Sequence, residues 1–346
     1  MTTSQSESLC PSKGIYFSIQ PNIYWSDSFQ RWLCFDRTLI DQILNDDTFR
    51  VHDFDIDQLT SRFNLDLKIS SKILKLFPLA HEGDIHQELR KKFTIEINKN
   101  QKNALEVFKT EIQLVVQKIK NDCVNKEIDL IDLIHTAIKK SNAVIAGMPQ
   151  LSNLNFSDLS RVLDDKTSIK KRVEINNYLE EVLDEMSSKM PYEDKIFHLA
   201  LLAVGSSSLL GSLSDSLLLT LRCTPKGKFT NLSFDFDLPA SGVSLLERVA
   251  SKDIVISNVT ILKDQKIQLY IESSGYQTNP MPQYSTTYFA APTRHVCPGM
   301  KYSLDMWRIF SEAISSLDVS YELIDFNYRN GDSVFNFPTS IRVKID

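Results

Sequence analysis

The stretch RHVCPGMKYSLDMWRIF, residues 294–310, carries the strongest indication of the fold of this chain. Cys297 is followed by Pro298 and Gly299, which favour a turn, and then by a segment with helical spacing of its apolar residues. A thiolate placed there meets backbone N–H groups and the positive end of the helix dipole, which lower its pKa and suit it to be a nucleophile or a metal ligand. The alternative is a half-buried structural cysteine at a helix start, because most lone cysteines behave as small hydrophobic residues.

The composition is that of an ordinary globular protein. The chain has 346 residues, of which 42% are apolar and 24% charged, so it is long enough for a large core. The net charge of -5, with mixed signs throughout, argues against nucleic-acid binding. The first thirty residues show no signal-peptide pattern and no run of eighteen apolar residues occurs, so we expect a cytoplasmic protein without a membrane anchor.

The cysteines do not form a recognisable disulfide or zinc pattern. There are five of them, an odd number, and none has C-x-x-C spacing. We expect most of them to be small buried residues, and Cys297 is considered separately; the others are Cys10, Cys34, Cys123 and Cys223.

Apolar periodicity predicts a helix-rich α+β protein with one domain, residues 1–346. One predicted helix is apolar nearly all round, which indicates that it runs through the middle of the fold. Segments rich in β-branched residues after Pro225 predict short strands and hairpins. The predicted helices are 85–120, 127–148, 168–188, the central 193–222, and one that begins just after Gly299.

Five further segments follow one another in an order that is typical of one enzyme family. They are RWLCFDRTLIDQILNDDTFR (31–50), HQELRKKF (86–93), NAVIAGMP (142–149), LLAVGSSSLLGSL (201–213) and ERVASKDIVISNVTILKDQKI (247–267). Together with the cysteine loop, this order resembles that of a soluble, bacterial-type cytochrome P450 along nearly the whole chain. The resemblance implies a mainly helical α+β fold with a long central helix and small β-sheets.

The resemblance also implies a cofactor, heme b, with Cys297 as the thiolate ligand of its iron. Heme carries two propionates that need cations, and His86 and Arg90 stand at i and i+4 on one helix face. By resemblance, Arg248 and His295 complete the propionate-binding set. Taken alone, His86 and Arg90 are more typical of a solvated helix face with Glu88 as an acidic neighbour, and it is the cysteine loop that favours propionate binding.

Three departures from the family pattern stand out. The family's Phe and two Gly before the cysteine are replaced by Ala290, Ala291 and Thr293, with Phe289 one place early. No Glu-x-x-Arg occurs in the chain, although that pair ordinarily locks the heme-binding core together. Arg248 lies only 43 positions after Gly205, which predicts a shortened region between the central helix and the late strands.

The central helix departs most clearly, and it holds the candidate catalytic residues Gly205, Ser206, Ser207 and Ser208. Family members usually have an acid and an alcohol there, which relay protons to iron-bound dioxygen. Here Ser207 replaces the acid and Ser208 the alcohol, and a hydroxyl has too high a pKa for the acid's role. The alternative is that these serines simply bond back to helix carbonyls.

Three functions therefore remain open. The first is an atypical heme-thiolate monooxygenase or peroxygenase that acts on a small, partly hydrophobic molecule in specialised-metabolite biosynthesis. The second is an isomerase or dehydratase that uses the same iron without dioxygen. The third is a degenerate, non-catalytic P450-like scaffold that recruits a partner protein. Retention of Cys297, Gly205 and the propionate cations favours an enzyme, and loss of the acid and of Glu-x-x-Arg favours the others.

The sequence also suggests pocket residues and partners. We expect pocket loops near 65–84, 150–168 and 268–275, with no nucleic acid and no membrane as partners. Electrons, if used, come from a separate ferredoxin and reductase, and Lys92, Lys99, Lys301 and Arg308 are candidate contacts for an acidic partner. The apolar pocket candidates, which are equally compatible with core positions, are Ile73, Leu74, Leu76, Phe77, Leu151, Leu154 and Phe156.

Overall fold

The computed structural model describes most of the chain. The described residues are 22–51, 56–154, 158–163, 167–186, 188–234, 240, 242–271, 295–328, 334–335 and 337–346. Their α-helices are α1 Arg37–Asn45, α2 Ile56–Phe63, α3 Lys68–Leu74, α4 Gly83–Asp122, α5 Leu130–Ile145, α6 Ile169–Glu185, α7 Tyr192–Cys223 and α8 Met300–Ser315. The strands are β1 Ile23–Ser26, β2 Arg31–Cys34, β3 Phe49–Val51, β4 Glu127–Asp129, β5 Lys226–Lys228, β6 Leu246–Ala250, β7 Ile254–Ile256, β8 Val259–Ile261, β9 Lys266–Leu269, β10 Ser320–Tyr328 and β11 Pro338–Ile345.

The long helix α7 is the centre of the main hydrophobic core. It contacts α3, α5 and α8, and its buried residues lie on every side of the helix. By length and composition α7 could cross a membrane, but 67% of its most apolar stretch is buried inside the protein. This burial agrees with the prediction that the all-round apolar segment is a helix in the middle of the fold.

In the described part of the chain, three small sheets accompany the helices. The five-stranded sheet has the order β1-β2-β9-β6-β3, in which β2 and β9 are parallel. The four-stranded sheet has the order β4-β11-β10-β5, and β7 and β8 form a separate antiparallel pair. A second, smaller hydrophobic core lies against the five-stranded sheet and α1, with Ile40, Phe49 and Ile267 among its buried residues.

The helix-rich α+β class is confirmed, with differences at the element boundaries. The predicted helix 127–148 begins as strand β4, because Asp129 caps α5 by accepting the N–H of Ile131 at 2.9 Å and also bonds the N–H of Ile341 in β11 at 3.1 Å. The helices α2 and α3 were not predicted, since each has only eight residues or fewer. Short helices depend on tertiary contacts more than on their own periodicity.

The chain between α7 and β6 is short, as the sequence predicts. Its described residues form only β5 and one turn of 3-10 helix, Phe229–Asn231, before the chain reaches β6. The residues 289–293, which carry the departures before the cysteine, lie outside the described part of the chain.

Candidate functional site

A deep, mainly apolar cavity lies between α4, α7 and the chain before α8. It encloses about 1190 Å³ of space between atoms, including the part that opens to solvent. The α3–α4 connection supplies Phe77 and Pro78, and Phe93 of α4 and Val204 of α7 add apolar wall. His86, Arg90, His295 and Cys297 also line it, so the structure brings together four of the five predicted cofactor-binding residues.

Cys297 lies directly before the first turn of α8. Its side chain is surrounded by protein and is open to water on the side of the cavity. Burial raises the pKa of the Cys297 thiol, whereas the backbone N–H groups of Gly299 and Met300 and the charge of Arg90 act in the opposite direction. The predicted position of the cysteine at a helix start is therefore correct, but desolvation has the larger effect on its pKa.

Arg90 supplies a partly buried positive charge on the cavity wall. Its side-chain Nε is buried and has no hydrogen-bond partner among the described residues. A guanidinium keeps its charge in proteins, and a buried donor without an acceptor is costly. Arg90 is thus suited to bind an anionic group that enters the cavity.

The two histidines contact each other next to Arg90. The ring centroids of His86 and His295 are 4.4 Å apart in an edge-to-face arrangement. The Nδ1 of His86 lies 2.8 Å from the carbonyl oxygen of Pro78, so Nδ1 carries a hydrogen and donates it. The Nε2 of His295 lies 3.5 Å from Oε2 of Glu82. Both imidazoles therefore have a polar partner in the surrounding protein.

Glu82 is a site residue that the sequence analysis missed. Its Oε1 accepts the N–H of Val51 in β3 at 3.0 Å, while Oε2 faces His295. Glu82 immediately precedes Gly83, whose φ of +62° places it in the left-handed region. The sequence could have indicated Glu82 as a site residue, because it is an acid next to a glycine at the start of α4, the helix that carries His86 and Arg90.

Arg248 is buried but does not line the cavity. It is 5% exposed, lies in β6 opposite Val51 of β3, and donates to the carbonyl of Glu247 at 2.9 Å. Leu246, two positions earlier on the same face of β6, does line the cavity. The structure thus places Arg248 on a strand that contributes Leu246 to the cavity wall.

Only one of the candidate central-helix residues lines the cavity. α7 turns Val204, Ser208 and Ser212 towards it, at intervals of four residues. The hydroxyl of Ser208 bonds back to the carbonyls of Val204 and Gly205, at 2.9 and 3.3 Å, which is the alternative considered from the sequence. α7 continues as an α-helix through Gly205.

Ser206 and Ser207 point elsewhere. Ser207 is fully buried, and its Oγ lies 2.6 Å from that of Ser160. Ser206 is 7% exposed, and its Oγ has no hydrogen-bond partner among the described residues. Adjacent helical residues diverge by about 100°, so a run of consecutive serines cannot all face one cavity.

The predicted apolar pocket residues divide between cavity and core. Phe77 lines the cavity, whereas Ile73, Leu74 and Leu151 are buried in the main core. The residues Leu76 and Leu154 pack against that core from its edge. Phe156 lies outside the described residues, as do 155–157, 164–166 and 272–275 of the predicted pocket loops.

A short segment that we call the connector, Ala240, Gly242, Val243 and Ser244, closes the cavity beside α7. Gly242 and Val243 line the cavity. Ser244 is fully buried and donates its N–H to the carbonyl of Val334 at 2.7 Å. The connector was not predicted as part of the site, because its composition resembles an ordinary loop.

Comparison with solved structures gives consistent matches, while no protein-family model and no curated protein sequence matches the chain. P450BioI bound to an acyl carrier protein ligated with hexadec-9Z-enoic acid is 17% identical with a TM-score of 0.70, and 94% of each chain is covered. P450 RauA bound to a biosynthetic intermediate of aurachin RE is also 17% identical, with a TM-score of 0.71 and 94% of each chain covered. Epothilone B-bound cytochrome P450epoK is 17% identical with a TM-score of 0.66 and 93% of each chain covered.

These matches extend over nearly the whole length of both chains, although the identities are low. They agree with the long central helix α7 and the small sheets of the described residues. The chain therefore has the cytochrome P450 fold.

Proposed function

We propose that this protein is a heme-thiolate enzyme that oxidises a small, partly hydrophobic molecule. The observation that carries the proposal is that Cys297 opens into an apolar cavity that is also lined by Arg90, whose Nε is buried without a hydrogen-bond partner among the described residues. A thiol for the iron, apolar walls for a flat macrocycle and a cation for its carboxylates are the three requirements of a heme-thiolate site.

The residues around the cavity fit heme b. Cys297 would ligate the iron, with the N–H groups of Gly299 and Met300 directed at its sulfur. Arg90, with its buried unbonded Nε, would bind a propionate, and the adjacent imidazoles of His86 and His295 would supply further donors. Arg248 would contribute charge from the neighbouring strand.

When bound, heme would supply the redox chemistry of the iron, tuned by its thiolate ligand. The protein's own residues determine which molecule is bound and how it is oriented. Phe77, Phe93 and Val204 would exclude water and hold an apolar substrate, and Ser208 offers a hydroxyl lone pair because its hydrogen is directed at helix carbonyls.

Proton delivery is the step in which this enzyme would differ from a conventional monooxygenase. No carboxylic acid lines the cavity from the described residues of α7, and Ser207 is directed at Ser160. A serine hydroxyl is a poor proton donor compared with a carboxylic acid. This supports peroxide-driven chemistry, or proton delivery by the substrate, over an ordinary dioxygen cycle.

The same observation favours a second candidate, an isomerase or dehydratase that does not use dioxygen, because such a reaction does not need a proton relay from α7. A degenerate scaffold is less well supported. A scaffold would not need a cavity that retains Cys297, Arg90 and both histidines.

A role in specialised-metabolite biosynthesis and a cytoplasmic location complete the proposal. The RauA structure holds a biosynthetic intermediate, and the P450BioI structure holds a carrier-bound fatty acid, which makes either a free or a carrier-bound substrate compatible with this fold.

An acidic electron-donor protein would dock on α4 and α8, where Lys92, Lys99, Lys301 and Arg308 are exposed. Three of these four form ion pairs with acidic neighbours on their own helices: Lys92 with Glu88, Lys99 with Glu96 and Arg308 with Asp305. Such pairing reduces the attraction of these cations for an acidic partner, which is a further reason to favour peroxide over a protein donor.

The decisive experiment is the absorption spectrum of the purified protein after reduction and addition of carbon monoxide. We expect the strongly red-shifted band of a thiolate-ligated heme, with one heme per chain. Cys297→Ala should lose that band, whereas Cys223→Ala, which removes an exposed cysteine from the end of α7, should retain it. A Cys297→Ala protein with an unchanged band would overturn the proposal.

Reaction type is tested by turnover of the same preparation under three conditions. These are dioxygen with reductant, peroxide alone, and strict exclusion of both. Turnover with peroxide supports the leading proposal. Robust turnover without dioxygen and peroxide would contradict it and would support the isomerase or dehydratase instead.

A further inference from the structure

The backbones of α7 and the connector are in direct contact. A Cβ on Gly242 would lie 1.8 Å from the carbonyl oxygen of Ser208, and a Cβ on Gly211 would lie 2.9 Å from the Cα of Gly242. Neither position has room for a side chain, and the neighbouring atoms are backbone atoms that cannot rotate away. Glycine at both positions permits the connector to lie against the helix.

Two hydroxyls of α7 hold the connector at this contact. Ser212 Oγ accepts the N–H of Gly242 at 3.0 Å, and Ser216 Oγ accepts the N–H of Ala240 at 2.6 Å. The serines are four residues apart, so they lie on one face of the helix. The two N–H groups are outside regular secondary structure and therefore need side-chain acceptors.

This contact also shapes the cavity. Ser208 and Ser212 of α7 and Gly242 and Val243 of the connector all line it. The two hydrogen bonds thus determine where this part of the wall lies. If the connector moved away from α7, the cavity would become wider at this point.

We propose that Ser212 and Ser216 are positioning residues that lock the connector onto α7 and thereby keep the cavity at its width. The chain lacks a Glu-x-x-Arg pair and has few residues between α7 and β6. Local hydroxyl groups and glycines therefore hold the connector against α7. The effect on substrate binding rests on the proposed function, whereas the lock itself does not.

Limited proteolysis of the full-length protein tests the lock without reference to heme. Ser216→Ala and Ser212→Ala should each raise the rate of cleavage between residues 232 and 246 by about tenfold, because each leaves one N–H without its acceptor and raises the open population. Ser214→Ala is the matched control, since among the described residues its hydroxyl bonds only to the carbonyls of Leu210 and Gly211 in its own helix. Cleavage rates equal to that control, with circular dichroism unchanged, would overturn the lock.

Two further variants keep the test decisive if Ser216→Ala, at a fully buried position, fails to fold. Ser212→Thr retains a hydroxyl at a half-buried position and should restore slow cleavage relative to Ser212→Ala. Gly242→Ala should open the connector by steric repulsion alone, while Gly227→Ala, whose Cβ would lie 3.6 Å from Thr224 Cγ2, should not. Slow cleavage of Gly242→Ala would contradict the proposal.

The cavity width is tested by spectral titration of the heme-loaded protein with imidazole and with the bulkier 4-phenylimidazole. Opening of the wall in Ser212→Ala should shift the ratio of the two affinities towards the bulky probe by about tenfold, with the thiolate band unchanged. An unchanged ratio would overturn the link between the lock and the cavity. Failure of the wild-type protein to bind heme would overturn the proposed function and leave the proteolysis result standing.

Discussion

Arg90 and Cys297 lie 207 positions apart in the sequence, yet they line one cavity, and the charge of the guanidinium acts on the thiol. Burial raises the pKa of Cys297, and Arg90 is one of the groups that oppose this effect. The residue proposed to bind a propionate thus also stabilises the thiolate that would ligate the iron. The two proposed roles of the site are therefore electrostatically coupled.

The four proposed propionate residues should not contribute equally to heme retention. Arg90→Ala removes a cation from the cavity wall and should cost on the order of 3 kcal/mol of heme binding, because it leaves a buried charge without its partner. Arg248→Ala should cost less, since Arg248 does not line the cavity. The rate of heme transfer from each variant to an excess of apomyoglobin measures the difference.

Arg308→Ala, an exposed arginine on α8, is the control and should transfer heme at the wild-type rate. If Arg248→Ala lost heme faster than Arg90→Ala, the order derived from the cavity geometry would be wrong.

The structure changes which serine should be used to restore a proton relay. Ser207→Asp would place a carboxylate in a fully buried site beside the hydroxyl of Ser160, and we expect it to lower the free energy of unfolding by about 2 kcal/mol. Ser208→Asp faces the cavity and should destabilise the protein less. Urea unfolding of both variants provides the comparison.

If the enzyme uses dioxygen, Ser208→Asp should also raise the yield of product per reductant consumed, and Ser207→Asp should not. Equal stability of the two variants would show that the difference in burial has no consequence for a charge at these positions.

The fold was largely predictable from the sequence because its indications are distributed along the chain. The long helices α4 and α7 agree with their apolar spacing to within two residues at either end. The cysteine before α8 and the pair His86 and Arg90 are likewise local patterns. A contact between remote segments leaves no such local pattern. The sequence analysis therefore did not predict the contact between Gly242 and the backbone of α7.

The individual roles of the α7 serines were not predictable from their alignment with a family motif. Ser207 occupies the acid's place in the motif, but the rotation of α7 directs it at Ser160 and turns Ser212 to the cavity. Rotation of a helix is fixed by all its packing contacts, which a short motif does not contain. Glu82 was missed for a similar reason, since its partners Val51 and His295 come from two other segments.

Two glycines should differ in how much they resist substitution. Gly83 and Gly147 have φ values of +62° and +71°, so alanine at either should cost about 1 kcal/mol for its backbone conformation alone. A Cβ on Gly83 would meet no described atom within 4 Å, whereas on Gly147 it would lie 3.1 Å from Glu96 Oε1 and 3.3 Å from His198 Cε1. Gly147→Ala should therefore be the more destabilising in thermal unfolding.

Gly83→Asn should be milder than Gly83→Ala, because asparagine tolerates the left-handed region better. Equal destabilisation by Gly83→Ala and Gly147→Ala would mean that the space around Gly147 adjusts without cost.

Stability should fall at alkaline pH. Burial raises the pKa of the Cys34 thiol from 9.0 to about 12 and that of Tyr270 from 10.0 to about 12. In the unfolded chain Cys34 therefore loses its proton near pH 9 and Tyr270 near pH 10, whereas in the folded chain both keep theirs up to about pH 12. Between these values each residue lowers the free energy of unfolding by up to about 1.4 kcal/mol per pH unit. Below pH 9 neither group contributes to the slope.

Urea unfolding between pH 8 and pH 11 measures this slope. Tyr270→Phe should make it shallower above pH 10, and Tyr192→Phe, at an exposed position, controls for loss of a hydroxyl. A slope unchanged by Tyr270→Phe would contradict the contribution of this residue.

The parallel pairing of β2 with β9 has a consequence for how the protein is made. Trp32 pairs with Ile267, so the amino-terminal hairpin β1–β2 cannot join its sheet until some 235 further residues have been synthesised. At about 5–20 residues per second, this delay is roughly 12 to 47 seconds on the ribosome. During that time the edge of β2 that later meets β9 has no strand to pair with, and an unpaired edge is a template for aggregation. Expression at a lower temperature or with added chaperone should therefore affect the yield of this protein through its first sheet.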